Sequence, residues 1–112
     1  MLVDGIERGI EMPSQLRIYK IKPGQMENWL RFFHEKVVPL QNKFGISPTI
    51  GWVNAADSEY IWARDFAAGE LIEDQEKRYA TSEERRTVMG DEAKQYIESI
   101  AVRVVELNYQ RN

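Results

Sequence analysis

Three arginines lie in the middle of segments whose side chains alternate as in β-strands, and these residues have the clearest capacity for chemistry. They are Arg17, Arg64 and Arg103. A guanidinium in a largely apolar strand requires a partner, because burying an unpaired charge is costly. Arginines that converge can bind a carboxylate or an enolate, whereas separated arginines pair with acidic residues of the sheet or of a partner chain. The alternation does not reveal whether the three share a face.

The single histidine, His34, is the candidate catalytic residue. Imidazole acts as a general acid or base near neutral pH. His34 lies about 80° from the centre of the apolar stripe of a predicted helix, so the alternative is a rim position with hydrogen bonds to solvent. Pro39 cannot donate a hydrogen bond to the carbonyl of Glu35, and we expect a bend there. Such a bend would open a gap between helix and sheet beside His34.

Two aromatic residues accompany the arginines at strand spacing. Tyr19 follows Arg17 by two residues and Trp62 precedes Arg64 by two, so each pair shares a face of its strand. If those faces look toward the helices, Arg17, Tyr19, Trp62 and Arg64 are the candidate ligand-binding residues. They would line a pocket suited to an aromatic or β-keto acid. If the faces look into a dimer instead, the same residues form an interface.

The elements that must position these residues follow from the hydrophobic pattern. We predict strands at 14–21, 47–54, 59–66 and 99–107, a long helix at 24–44 and shorter helices from residue 69 onward. This order predicts an α+β fold, the ferredoxin-like split β-α-β-β-α-β arrangement, with a four-stranded antiparallel sheet and helices on one face. The other face then lacks cover, and a second copy of the chain would supply it.

The amino-acid composition limits the classes of function that the protein can have. The 112 residues are 43% apolar, which predicts one domain at 13–109 preceded by an N-terminal arm at 1–12. With no cysteine and one histidine we predict neither a metal site nor a cofactor. The net charge of −3 and the lack of a basic run exclude nucleic acid as a predicted partner. No apolar stretch is long enough to span a membrane, so we expect no membrane partner and a cytoplasmic location.

Three segments resemble the NIPSNAP family. Residues 15–24 read QLRIYKIKPG, residues 38–45 read VPLQNKFG, and a predicted hairpin follows that ends at Phe66. The resemblance extends over about 14–107. It implies a dimeric α/β barrel, the superfamily that also contains cofactor-independent monooxygenases, small cyclases and haem-degrading enzymes. NIPSNAP domains have no generally assigned chemistry.

The sequence departs from the NIPSNAP pattern at four positions. Gln15 stands where an acidic residue is usual at the start of the first strand. Trp62 and Arg64 stand where histidine and an aromatic residue are common, and Ala93 stands near the usual tryptophan of the last helix. The resemblance therefore implies an altered pocket.

Three functions are compatible with these features. The first is a homodimeric protein of unassigned activity that binds a small, largely apolar or aromatic metabolite between helices and sheet. The second is a cofactor-independent enzyme, a monooxygenase or a cyclase/isomerase, in which His34 or a tyrosine transfers protons. The third is a purely structural dimer without a ligand. A cavity with convergent polar groups favours the first two, and a filled core favours the third.

Overall fold

The four strands are arranged as the hydrophobic pattern predicts. The computed structural model describes residues 13–111 and contains β1 (Ser14–Ile21), β2 (Ser47–Asn54), β3 (Glu59–Asp65) and β4 (Ile97–Val105). They form one sheet in the order β2-β3-β1-β4, and every neighbouring pair is antiparallel. The split ferredoxin-like arrangement is therefore confirmed, although β4 begins and ends two residues earlier than predicted. The predicted arm at 1–12 lies outside the described residues.

One long helix crosses the sheet in three consecutive segments. They are α1 (Met26–Phe32), a π-helical turn (Phe33–Val37) and α2 (Val38–Lys43). Pro39 has no N–H to offer and its ring crowds the carbonyl one turn back, so the turn before it is widened. The N–H of Val38 accordingly donates to the carbonyl of Phe33, five residues earlier. We predicted a bend at Pro39, and the structure shows a widened turn directly before it. The helix ends just before Gly45, whose φ of 79° suits glycine.

Two shorter helices complete the layer on the same face. They are α3 (Ile72–Ala80) and α4 (Glu83–Met89), followed by a 3-10 helix (Glu92–Gln95). The hydroxyl of Ser82 accepts a 3.0 Å hydrogen bond from the N–H of Arg85 and begins α4. The buried side chain of Gln75 bonds both backbone groups of Ala67 and the carbonyl of Glu70. These three bonds fix α3 to the loop that follows β3.

Strand parity assigns each side chain to one face of the sheet. Odd-numbered residues of β1 and even-numbered residues of β3 lie under the helices, since Arg17 pairs with Trp62 and Tyr19 with Tyr60. In the register between β1 and β4, Val102 pairs with Arg17 and Ile100 pairs with Tyr19, so these two residues of β4 lie on that same face. The candidate residues of β1 and β3 therefore face the helices.

Aromatic rings join the long helix to the sheet. Trp29 contacts Tyr19 and Tyr60 at ring-centroid distances of 5.3 and 5.8 Å, and Phe33 contacts Tyr60 and Trp62, both at 5.0 Å. All five side chains are buried. Most of these contacts are tilted or edge-to-face, the favourable arrangement for aromatic pairs. We call these five residues the aromatic wall.

The opposite face of the sheet is apolar and has no covering element among residues 13–111. Its centre pairs Ile18 with Ile61 on one side and with Ala101 on the other. Toward the β2 edge, Ile50 and Trp52 are 50% and 49% exposed. A contiguous apolar face of this kind is typical of an interaction surface.

Because Gly51 has no side chain, the ring of Tyr60 can lie against β2 at this position. A methyl group added at Gly51 is therefore predicted to destabilise the fold. A Cβ at Gly51 would overlap the Tyr60 hydroxyl and lie 2.8 Å from its Cζ. Tyr60 is buried and cannot move aside. We expect Gly51→Ala to lower the free energy of unfolding by about 2 kcal/mol, measured by chemical denaturation.

The control is the same substitution in a Tyr60→Phe background. Removing the hydroxyl removes the closest overlap, so the penalty of Gly51→Ala should shrink by about 1 kcal/mol in a double-mutant cycle. Equal penalties in both backgrounds would contradict the proposed contact.

Candidate functional site

A cavity of about 220 Å³ lies between the helices and the side of the sheet formed by β1 and β4. Trp29, Phe32 and Val37 of the long helix form one wall, and Ile97 and Ile100 of β4 form another. Helices α3 and α4 close the remaining sides. The polar residues of the lining are Arg17, Tyr19, Gln41, Arg64, Glu76, Tyr79 and Arg85.

Two of the three mid-strand arginines meet in this cavity. Arg17 and Arg64 both lie on the helix-facing side of the sheet, and the guanidinium of each lies over the ring of Trp62, at 5.8 and 5.7 Å from its centroid. Such cation–π contacts hold a guanidinium in place without neutralising it. Arg103 pairs with Leu16 and therefore points to the opposite face. The sequence could not decide this, and the register does.

Gln15 connects the two arginines. Its carbonyl oxygen accepts hydrogen bonds from Arg17 Nη1 at 3.0 Å and Arg64 Nε at 3.1 Å, while its Nε2 donates to Glu76 Oε2 at 3.0 Å. Gln15 is 3% exposed, and its bond to Arg64 is fully buried, whereas its bonds to Arg17 and Glu76 are partly buried. A neutral amide in this position orders both cations and cancels neither charge.

Glu76 is the counter-ion of the pair. Its Oε2 lies 2.8 Å from Arg64 Nη2 and 3.6 Å from Arg17 Nη1. Burial and the neighbouring charge of Arg17 together lower the pKa of Arg64 to about 10, although Tyr19 and Glu76 partly oppose the shift. Arg64 therefore remains charged at neutral pH. With Arg85, three guanidinium groups face one carboxylate in the cavity lining.

Two buried polar atoms on lining residues have no protein partner within residues 13–111. They are Nε1 of Trp29 and Oε1 of Gln41, on side chains that are 1% and 3% exposed. Most buried polar groups are hydrogen-bonded, but both of these atoms are fully enclosed by protein, so neither is accessible from the cavity. Burial also raises the pKa of Tyr79, a further hydroxyl of the lining.

His34 lies on the other flank of the long helix. It lines an open groove beside β2, together with Leu30, Val38, Thr49 and Tyr60. The aromatic wall stands between this groove and the cavity, because Tyr60 contacts Trp29 and Phe33 at centroid distances of 5.8 and 5.0 Å. Burial raises the pKa of the Tyr60 hydroxyl, which reaches toward Gly51. The structure thus brings Arg17, Tyr19 and Arg64 together around one cavity, with Trp62 beneath the guanidiniums, and leaves His34 outside it.

The sequence did not identify Gln15, Gln41 or Glu76 as candidate ligand-binding residues. Gln15 shares strand parity with Arg17, which is a signal that could have identified it. Gln41 and Glu76 lie on helices whose rotation over the sheet is set by tertiary packing. Ala93, noted as a small residue in place of a tryptophan, lines the cavity.

Two further features of residues 13–111 bear on other classes of site. No helix in this range is both long and apolar enough to cross a membrane. The same range contains no group of three or more histidine, cysteine, aspartate or glutamate side chains arranged to hold a metal ion.

These features define a ferredoxin-like α+β domain with a cationic cavity between its sheet and helices. Residues 14–107 match the sequence profile of the NIPSNAP family. Because this match covers most of the chain, the protein belongs to the NIPSNAP family, as its sequence motifs predicted. None of the curated proteins compared with the chain matches it.

Solved structures show the same fold at low identity. A NIPSNAP family protein from Agrobacterium tumefaciens is 19% identical, with a TM-score of 0.75 over 88% of this chain and 87% of its own. A NIPSNAP-like domain protein from Burkholderia xenovorans is 8% identical, with a TM-score of 0.75 over 92% and 91%. A candidate antibiotic biosynthesis monooxygenase from Caulobacter crescentus is 8% identical, with a TM-score of 0.64 over 96% and 99%. At such identities the likeness shows the fold alone.

The hydrogen bonds of Gln15 predict a large loss of stability on substitution. Gln15→Leu keeps the approximate volume but leaves both guanidiniums and Glu76 short of a partner. We expect the free energy of unfolding to fall by about 3 kcal/mol in chemical denaturation. The control is Gln95→Leu, at an exposed position of the 3-10 helix, which should change it by less than about 0.5 kcal/mol. Similar values for the two variants would contradict the role of Gln15.

Proposed function

We propose that this protein is a homodimeric binding protein for a small organic acid with a largely apolar or aromatic body, held in the cavity between helices and sheet. The observation that carries the proposal is the pair formed by the partly buried Arg17 and the buried Arg64, which shares one carboxylate at the wall of a cavity lined mostly by aromatic and aliphatic side chains. Excess positive charge in an apolar, partly enclosed space favours an anion.

Arg17 supplies the proposed carboxylate contact. Its Nε donates to the hydroxyl of Tyr19 at 2.9 Å and its Nη1 to Gln15, while its Nη2 has no acceptor among residues 13–111. Because the Tyr19 oxygen accepts from Arg17, its own O–H is free to donate. A carboxylate that bonds Nη2 and this hydroxyl would gain two charge-assisted hydrogen bonds. Arg64, held by Gln15 and Glu76, contributes charge without direct contact.

Cavity size restricts the enclosed part of the ligand to about one ring. Engineered apolar cavities of about 150 Å³ take up benzene, and the present cavity of about 220 Å³ adds room for a carboxylate and one more small group. The cavity is partly open to solvent, so the remainder of a larger ligand would extend out of it.

The proposal assigns no reaction. His34, the candidate proton carrier, lies across the aromatic wall from the cavity, so an enzyme of the monooxygenase or cyclase type would need a proton carrier other than His34 there. The polar side chains of the lining serve binding: cations for the acid group, and hydroxyl and amide groups for the remaining polar atoms.

Benzoate titration tests the binding site, because the three tryptophans act as internal reporters. We expect benzoate to shift the indole N–H resonance of Trp29, which lines the cavity, and not that of Trp52, which lies exposed on the opposite face. Benzyl alcohol, which lacks the charge, should bind at least about tenfold more weakly. Arg17→Gln should abolish this preference for the acid.

The control variant is Arg31→Gln, which removes a charge from an exposed position of α1. It should leave the affinity for benzoate unchanged. Equal shifts of Trp29 and Trp52, or an unchanged preference in Arg17→Gln, would refute the cavity as the acid-binding site.

The homodimer is proposed from the apolar sheet face. Ile18, Ile61 and Ala101 form its centre, and the face is formed by four strands side by side. A second copy related by a two-fold axis presents a surface of the same shape and chemistry. Burying it removes the apolar side chains of both copies from water.

Sedimentation at low micromolar concentration should therefore give twice the chain mass. Ile18→Arg places a charge at the centre of the face and should yield a folded monomer, because the position faces away from the helical layer. Val88→Arg, at an exposed apolar residue of α4, is the matched control and should remain dimeric. A wild-type monomer, or a dimer that persists in Ile18→Arg, would count against this interface.

A further inference from the structure

Glu76 reaches the cavity from α3 and concentrates its contacts on one oxygen. Oε2 lies 2.8 Å from Arg64 Nη2 and 3.6 Å from Arg17 Nη1. It also accepts a hydrogen bond from the side-chain amide of Gln15 at 3.0 Å. The side chain is 33% exposed, so it lies where the cavity meets solvent. Glu76 therefore occupies part of the positive field that an acidic ligand would use.

The position of Glu76 is fixed by its neighbour in the chain. Gln75 makes three hydrogen bonds to the loop after β3, to Ala67 twice and to Glu70 once, at 2.9 to 3.0 Å. This anchor sets the rotation of α3 and keeps Glu76 beside the arginines.

A fixed carboxylate next to the binding arginine discriminates between ligands by charge. Repulsion in a medium of intermediate dielectric scales with the product of the charges. A ligand with two negative charges is therefore penalised about twice as strongly, on a free-energy scale, as a ligand with one. For a partly exposed group such as Glu76, each ligand charge corresponds to a factor of about ten in affinity.

We infer that Glu76 is a specificity-determining residue that shifts the selectivity of the cavity toward singly charged acids and away from doubly charged acids of the same shape. This inference rests on the proposed acid-binding function. Arg85, the third guanidinium of the lining, packs on the ring of Tyr79 at 5.7 Å and has no ion pair among residues 13–111. Arg85 attracts a doubly charged acid more strongly than a singly charged one, and Glu76 acts in the opposite direction.

The test uses two ligands of nearly equal shape. 2-Nitrobenzoate carries one charge and phthalate carries two at pH 7.5, since the nitro group replaces a carboxylate. Both are titrated into the full chain, with the Trp29 indole N–H resonance as the readout. Glu76→Gln keeps an acceptor for Arg64 and Gln15 but removes the charge, and should shift the affinity ratio toward phthalate about tenfold.

Two further variants make the result independent of a folding defect in Glu76→Gln. Glu73→Gln removes the same charge from an exposed position of α3 and should leave the ratio unchanged. Gln15→Glu adds a carboxylate beside the same arginines and should shift the ratio toward 2-nitrobenzoate. Thermal unfolding of each variant reports whether it is folded.

The outcomes separate the two proposals. If neither acid binds wild-type protein or any variant, the acid-binding function itself is refuted. If 2-nitrobenzoate binds but the ratio is the same in wild-type protein, Glu76→Gln and Gln15→Glu, the function stands and the selective role of Glu76 is overturned. An equal shift in Glu73→Gln would also overturn it, because net charge alone would then explain the effect.

Discussion

The stacking of the aromatic wall between the long helix and the sheet is the contact on which the rest of the structure depends. Trp29 and Phe33, on successive turns, contact rings of both β1 and β3. These contacts fix the height and rotation of the helix over the sheet, because close-packed rings tolerate little displacement. They also divide the space beneath the helix into the cavity near β4 and the groove near β2.

Placing two guanidiniums beside this wall sets the electrostatics of the site. Trp62 lies beneath both cations, Gln15 orders them, and Glu76 neutralises part of their charge. An acid at position 15, as the family resemblance would suggest, would supply a second negative charge inside the protein. The amide leaves an excess of positive charge instead. The departures from the family pattern are thus connected. Gln15 and Trp62 both contact the guanidinium of Arg64, and Ala93 leaves room in the cavity beside it.

The fold could be predicted from the sequence because the features that determine its helices and strands are local. Alternation at period two in 15–21 and an apolar stripe in the long helix predicted the elements within two residues at most boundaries. Pro39 predicted an irregularity, and its consequence appears as the π-helical turn at Phe33–Val37. The form of that irregularity was not predictable, because bending the helix and widening one turn both relieve the missing hydrogen bond.

The candidate site could be predicted from the sequence only in part, for a physical reason. The sequence by itself determined that Arg17 and Tyr19 share a face, as do Trp62 and Arg64, because side chains alternate along a strand. Only the tertiary structure decided that both faces lie under the helices, that Arg103 does not, and that His34 belongs to a different flank. Those outcomes depend on register and helix rotation, which are set by long-range packing and hydrogen bonds between residues distant in the chain, such as Gln15 with Arg64 and Glu76.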